Sequence, residues 1–268
     1  MVTVYLESIA VCGSGLPDWD HAASVLAGRV AYEGAPISIP TVDLLPPAER
    51  RRMSPTIKLA LALMQKAIKD AGRAADELAT VFTSSGGDGE TIHAILQVLA
   101  TAGREVSPTK FHNSVHNAPS GYWALASACR EPSTTLCAHD WCFSAGLLEA
   151  AVLASVDQRA VAMIAYDLPY PGALHGVRPI AAPFGVALVL APSSNNNTLA
   201  RLDLSIEVAH APETTMKDAA LESLRAGNPA ARALSLLQQL ASNTAGSIVL
   251  ETSSRGRLVV SVTPGGVA

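Results

Sequence analysis

The chain has 268 residues, of which 49% are hydrophobic, 16% charged and 4% aromatic, and its formal net charge is −4. This balance excludes intrinsic disorder, because disordered chains combine low hydrophobicity with high charge. It also disfavours nucleic-acid binding, since a phosphate backbone needs a basic surface and bases need aromatic stacking partners. The low charge further indicates that some apolar surface contacts another protein.

Targeting signals are not recognised in the sequence. The first residues carry no Lys or Arg and reach Glu7 early, unlike a signal peptide. A helix that spans a membrane needs about 18 uninterrupted apolar residues, and the sequence contains no such run. The four cysteines follow neither a Cys-x-x-Cys nor a zinc-site pattern, which predicts free thiols in a reducing compartment. We therefore expect a cytoplasmic protein without a membrane span.

Strand-like and helix-like segments alternate through the first two thirds of the chain. The clearest helix covers 54–71, where apolar residues recur at helical spacing between a Ser-Pro start and the stop signal Gly72. Further helices are predicted at 88–102, 117–129 and 143–156. Strands are predicted at 2–11, 79–84, 133–138, 160–166 and 185–191.

The polar stretch 192–197 separates this region from a smaller tail. In the tail we predict strands at 199–208, 247–251 and 258–263, and a helix at 229–241. Strands that alternate with helices are typical of a layered α/β sheet. We expect a single domain over 1–268, with an N-terminal half at 1–195 and a reduced C-terminal half at 196–268.

Two patterns resemble ligand-binding motifs but lack essential parts. The glycine-rich segment 84–91 would need a lysine after its last glycine to bind phosphate as a P-loop, and Glu90 stands there. His112 and His116 have the spacing of zinc ligands on a helix, but without the glutamate of His-Glu-x-x-His. We predict a glycine turn and packed or interfacial histidines, with neither a metal nor a cofactor.

The segment from His139 to Cys142 places a histidine, a carboxylate and a thiol within four residues. A cysteine nucleophile needs a base within hydrogen-bond reach. If the preceding strand continued, His139 and Asp140 would point to opposite faces and would not both reach Cys142. A small acyltransferase or thioesterase, using Cys142 with His116 or His139, nevertheless stays open as an alternative.

A larger set of segments resembles the β-ketoacyl synthase (thiolase-like) family in order and spacing over about residues 1–195. One matches the family's approach to its dimer-interface helix, a second the strand before the active site, and a third the helix after the nucleophile. The segments are 108–121 with Asn117 and Gly121, 132–138, 143–154, Arg178-Pro179 and 184–190. The resemblance implies a thiolase-like layered α/β/α/β/α fold with a shortened C-terminal half.

The same resemblance implies a disabled active site. Counted from Pro132, the family's cysteine nucleophile falls on Asp140, and Cys142 lies two residues later. A carboxylate cannot replace a thiolate in thioester exchange, because it would form a labile anhydride. The family's histidine motif is also missing after residue 195, where His210 stands alone. We therefore expect no catalytic residues in the chain by itself.

Ketosynthase-like chains without a nucleophile resemble chain-length factors, which pair with an active ketosynthase as a heterodimer. The resemblance implies that the strand at 133–138 pairs across the dimer axis and that the segment at 110–119 closes the end of the partner's acyl tunnel. The expected tunnel and interface residues, assigned by position, are Phe111, Val115, His116, Asn117, Pro119, Ser133, Thr135 and Leu136.

The short form of the fold resembles chain-length factors of aryl polyene (xanthomonadin-type) biosynthesis. This implies a ketosynthase partner and an indirect relation to an acyl carrier protein. A homodimer remains possible for the chain alone, including one that only stabilises a biosynthetic assembly.

Overall fold

The computed structural model describes residues 1–207, 211–254 and 256–265. Within them, eight strands form one mixed sheet. The strands are β1 (Val2–Gly13), β2 (Ala79–Thr83), β3 (Ser133–Leu136), β4 (Val161–Asp167), β5 (Phe184–Ala191), β6 (Ala200–Glu207), β7 (Gly246–Glu251) and β8 (Arg257–Pro264).

Helices cover both faces of the sheet. They are α1 (Trp19–Leu26), α2 (Pro47–Arg52), α3 (Pro55–Asp70), α4 (Gly89–Leu99), α5 (Pro108–Asn113), α6 (Ala118–Ser127), α7 (Cys142–Asp157), α8 (Gly172–Val177), α9 (Ala219–Gly227) and α10 (Leu234–Ala241). Two 3-10 turns, His139–Trp141 and Ala230–Ala233, precede α7 and α10.

The strand order is β3-β2-β4-β5-β1-β6-β8-β7. The strand β2 runs parallel to β3 and β4, whereas the other neighbouring pairs are antiparallel. The long strand β1 pairs with β5 from Tyr5 onwards and with β6 over Val2 to Leu6. The sheet is therefore continuous between the strands before residue 195 and those after it.

The helix α3 forms where the sequence predicts it. The Ser54 hydroxyl caps the helix by accepting from the Ile57 amide at 3.3 Å, and Pro55 occupies the first turn, where its missing N–H costs nothing. Gly72 ends the helix with a left-handed φ of 67°. The apolar face of α3 packs on the sheet against Phe82, Ile164 and other buried side chains.

The helix α7 packs on the opposite face of the sheet and is apolar around most of its surface. Its residues Leu147, Ala150 and Ala154 are fully buried in the larger core cluster, which also includes strands β6 to β8. Because α7 begins directly after the turn at 139–141, its burial fixes the position of that turn beside β3.

Several predicted boundaries shift. The strand predicted at 133–138 ends at Leu136, and the helix predicted at 229–241 begins as a 3-10 turn before α10. The sequence pattern missed α1, α2, α5, α8 and α9, which have only six to nine residues and too few turns for a clear apolar period. Residues 208 and 210, the end of a predicted strand and the isolated histidine, lie outside the described residues.

Across the described parts of the chain, every helix is too short or too polar to cross a lipid bilayer.

Candidate functional site

Three loops meet at the carboxyl ends of the parallel strands β2, β3 and β4, the edge where α/β sheets usually form their sites. The Cys137 thiol after β3 donates to the Ser85 carbonyl after β2 at 3.0 Å. Tyr170 after β4 lies on the glycine-rich loop, where a methyl group at Gly86 or Gly89 would come within 2.2 Å of it. The predicted glycine turn thus gives Tyr170 room to pack.

Asp140 lies in the 3-10 turn between β3 and α7. Its Oδ1 is 2.7 Å from Nη2 of Arg178, and its Oδ2 is 3.4 Å from Nδ1 of His139. Partial burial raises the pKa of the Asp140 carboxyl, but the contact with Arg178 and the nearby charges outweigh burial, so that the pKa lies below its ordinary value. Asp140 is therefore a carboxylate at neutral pH.

The strand β3 does not continue through His139 and Asp140, which lie in a 3-10 turn. His139 adopts a left-handed φ of 52°, which turns the chain out of the sheet, so that its ring contacts the Asp140 carboxylate. The sequence argument from strand alternation does not apply to a turn.

Cys142 is the first residue of α7 and is fully buried. Its Sγ donates to Oδ2 of Asp167 at 3.6 Å. Burial, together with the negative charge of Asp167, raises the pKa of the thiol well above its ordinary value. No histidine hydrogen-bonds to this thiol within the described residues. Cys142 is thus a neutral, buried thiol whose acceptor is the Asp167 carboxyl and not a histidine.

Asp167 completes a closed polar cluster that the sequence analysis missed. Its Oδ1 accepts from the backbone amide and the hydroxyl of Ser85 at 2.9 and 2.7 Å. Burial raises the pKa of Asp167 to about 6, although the hydrogen bonds from Ser85 oppose the shift. The signal available in the sequence is a single acidic residue at the end of the apolar strand β4.

The predicted tunnel segment presents two apolar side chains outward. Phe111 and Val115 are 68% and 51% exposed, whereas Pro119 is buried and Asn117 is exposed. His116 is half-buried, with its Nε2 3.5 Å from Ser84 Oγ, and burial lowers the pKa of its imidazole.

A buried amide anchors the same segment to the neighbouring helices. Asn113 Nδ2 donates to the Arg52 carbonyl at 2.8 Å, and the Tyr122 hydroxyl donates to Asn113 Oδ1 at 3.2 Å. Because α5 ends at Asn113, His112 and His116 do not share a helical face. In the described ranges, no three His, Cys, Asp or Glu side chains are grouped so that they could hold a metal ion.

The strand β3 lies at the end of the sheet, with one edge free of a strand partner in the described chain. Ser133 is exposed, and Thr135 and Leu136 are half-buried. Thr135 donates to Ser120 of α6 at 3.2 Å, and Thr134 donates to Glu149 of α7 at 3.4 Å. The two helices that flank the edge carry exposed apolar residues, namely Leu125 on α6 and Val152 and Val156 on α7.

The fold of the chain is similar to that of several solved structures. The ketosynthase (ApeO) in complex with its chain length factor (ApeC) from Xenorhabdus doucetiae matches with a TM-score of 0.72 and 21% identity, covering 97% of this chain and 100% of the other. The ishigamide ketosynthase/chain length factor matches with a TM-score of 0.70 and 13% identity, covering 99% of this chain and 100% of the other. A type II polyketide synthase ketosynthase complexed with its acyl-carrier protein (AntDE:AntF) matches with a TM-score of 0.75 and 10% identity. That match covers 98% of this chain and 99% of the other.

These likenesses confirm the thiolase-like ketosynthase fold. None of the curated protein sequences that were compared matches the chain. The family model described as "Beta-ketoacyl synthase, N-terminal domain" matches residues 19–255. Since that match spans most of the chain, the chain belongs to the beta-ketoacyl synthase N-terminal domain family.

Proposed function

We propose that this protein is a non-catalytic, chain-length-factor-type partner of a ketosynthase in polyketide-type biosynthesis. The observation that carries the proposal is the state of position 140, where the resemblance to ketosynthases places the nucleophile. Asp140 there is a carboxylate paired with Arg178. The nearest thiol in sequence, Cys142, is buried, neutral and bonded to Asp167.

The free edge of β3 supports a heterodimer. An unpaired edge strand offers backbone donors and acceptors to a second chain, and a bare edge invites aggregation unless it is covered. The exposed Leu125 and Val156 on the flanking helices add apolar area on either side of that edge. Two of the solved structures with this fold are described as a ketosynthase together with a chain length factor.

The segment around Val115 is suited to close a tunnel in the partner. Phe111 and Val115 extend outward from a backbone that Asn113 anchors by two hydrogen bonds. Anchored apolar side chains can limit the length of an acyl chain, because each buried CH₂ gains only about 0.8 kcal/mol whereas overpacking costs about 1–3 kcal/mol. Assignment of the product as an aryl polyene, built on an acyl carrier protein, rests on the resemblance in sequence.

Co-expression with a ketosynthase from the same organism tests the proposal. We expect a 1:1 complex by native mass spectrometry and elongation activity only in the complex. Incubated alone with acyl carrier thioesters, the chain is expected to take no acyl label.

Two outcomes would contradict the proposal. A chain that stays monomeric or homodimeric in the presence of the ketosynthase would favour a purely structural role. A stoichiometric thioester on the isolated chain would favour the acyltransferase alternative, and the variant Cys142→Ser identifies the site, since its hydroxyl can still donate to Asp167 but forms no thioester.

A further inference from the structure

The turn that leads into α7 is held in a strained conformation. His139 has a φ of 52°, in the left-handed region that residues other than glycine seldom adopt. Within the turn, the Trp141 amide donates to the Ala138 carbonyl at 3.0 Å. Such strain persists only where surrounding contacts over-determine the backbone.

An ion pair between Asp140 and Arg178 ties this turn to another part of the chain. The Arg178 side chain is only 20% exposed, and its backbone amide donates to the Leu174 carbonyl of α8 at 2.9 Å. The basic side chains that act on the Asp140 carboxylate are Arg178, Arg232 and the imidazole of His139. The ion pair therefore joins the start of α7 to the segment that follows β4.

The turn is close to β3 along the chain. Only Cys137 and Ala138 separate Leu136, the last residue of β3, from His139, and the Cys137 thiol is bonded to the Ser85 carbonyl. The turn and the end of the edge strand are therefore separated by only two residues along the chain.

We propose that Asp140 is a positioning residue, whose ion pair with Arg178 holds His139 in the left-handed conformation and so fixes the end of β3. The part of this inference that concerns a ketosynthase partner rests on the proposed function, whereas the turn itself can be tested in the chain alone.

Hydrogen exchange of the isolated protein tests the turn. Asp140→Asn keeps the shape of the side chain but removes its charge, and we expect amides at 139–142 to exchange at least 10-fold faster. The matched control is Asp157→Asn at the other end of α7, because Asp157 is 39% exposed, compared with 42% for Asp140, and also faces an arginine, Arg159, at 3.9 Å. The control should leave exchange at 139–142 within 2-fold of the wild type.

Two further variants separate positioning from a general loss of stability. Arg178→Met should speed exchange at the same amides, and combining it with Asp140→Asn should add less than 2-fold, because both changes break one contact. Adding His139→Gly to Asp140→Asn should slow exchange again, since glycine adopts a positive φ without steric cost. Exchange in Asp140→Asn equal to that in the Asp157→Asn control, or multiplicative effects of the two single variants, would overturn the inference.

Binding to the co-expressed ketosynthase tests the consequence for β3. Asp140→Asn and Arg178→Met are each expected to weaken the complex at least 5-fold, and Asp157→Asn is not. Unchanged affinity in the first two variants would overturn the link to β3. A wild-type chain that binds no ketosynthase would instead contradict the proposed function, while the exchange result would still decide the role of Asp140 in the turn.

Discussion

The Cys142 thiol donates its hydrogen bond inward, to a buried oxygen of Asp167 3.6 Å away. The carboxylate disfavours the thiolate, and burial disfavours the charged form of either group. The pair therefore stabilises the cluster beneath the turn at 139–141 as long as the thiol keeps its proton. The same relationship makes Cys142 a poor nucleophile, and it leads to the first two predictions.

Thiol reagents should distinguish the cysteines of the folded chain. Cys137 is exposed, whereas Cys12 and Cys142 are buried, and burial raises the pKa of Cys12 to about 11. Because the thiolate is the reactive form, iodoacetamide at neutral pH should modify Cys137 at least 10-fold faster than Cys142. Peptide mass spectrometry measures the rates, with the denatured chain as the control in which all four cysteines react. Equal rates at Cys137 and Cys142 in the folded chain would contradict the described burial.

Asp167 should make the stability of the protein depend on pH. Its pKa in the folded chain, about 6, lies above the ordinary value of 3.8, so the folded state holds the proton more tightly than the unfolded state. The free energy of unfolding should therefore fall as pH rises from about 4 to about 7, by about 3 kcal/mol from this group.

The variant Asp167→Asn isolates that contribution. An amide oxygen can still accept from Ser85, but the side chain no longer titrates. Urea unfolding of both proteins at pH 4.5 and 7.5 should show a decline in the wild type that is smaller in the variant. If the free energy of unfolding fell by the same amount between the two pH values in the wild type and the variant, Asp167 would not be the titrating group.

Two helical glycines should respond in opposite ways to alanine. A methyl group at Gly146 of α7 would lie 2.6 Å from Cγ2 of Thr83 in β2, so Gly146→Ala should destabilise the fold by about 1–3 kcal/mol through overpacking. Gly121 of α6 has open space at the same position, and Gly121→Ala should stabilise by about 0.5–1 kcal/mol through helix propensity. Thermal unfolding of both variants measures the difference, and a stabilising Gly146→Ala would contradict the described packing of α7 on β2.

Enlarging Val115 should shorten the product of the proposed complex. Val115 is 51% exposed in the single chain, so Val115→Phe should leave the unfolding temperature of the protein unchanged. The larger ring should fill space outside the surface of the chain, where we place the end of the partner's tunnel. We expect the longest products to be lost from the mass spectrum of the reaction. The control is Ile206→Phe, at another exposed aliphatic residue, on β6, which should not change product length. An unaltered product with Val115→Phe would exclude this residue from the tunnel end.

Local signals allowed much of the fold to be predicted. The cap at Ser54, the proline after it and Gly72 determine α3 within a few residues, and each acts over one turn of helix. The strand β3 and the helix α7 also form where the sequence pattern predicts them. The order of the strands could not be predicted in this way, because β1 finds its neighbours β5 and β6 far along the chain.

The candidate site was less predictable because its contacts also join residues that lie far apart along the chain. The resemblance placed Asp140 ahead of a buried helix, but its partner Arg178 belongs to a different loop. Likewise, nothing near Cys142 in sequence indicates that its sulfur meets Asp167. The left-handed turn at His139 was missed because the modest enrichment of histidine at positive φ does not mark a particular position in the chain. The roles of Phe111, Val115 and the other interface residues stay predictions.

The central place of β1 has a consequence for synthesis on the ribosome. The strand emerges long before β5 and β6, the two strands that cover its edges. At about 5–20 residues per second, the nascent chain carries it unpaired for roughly 10–35 s. During that interval its apolar side chains are available to chaperones or to neighbouring nascent chains, so the yield of native protein should depend on translation speed.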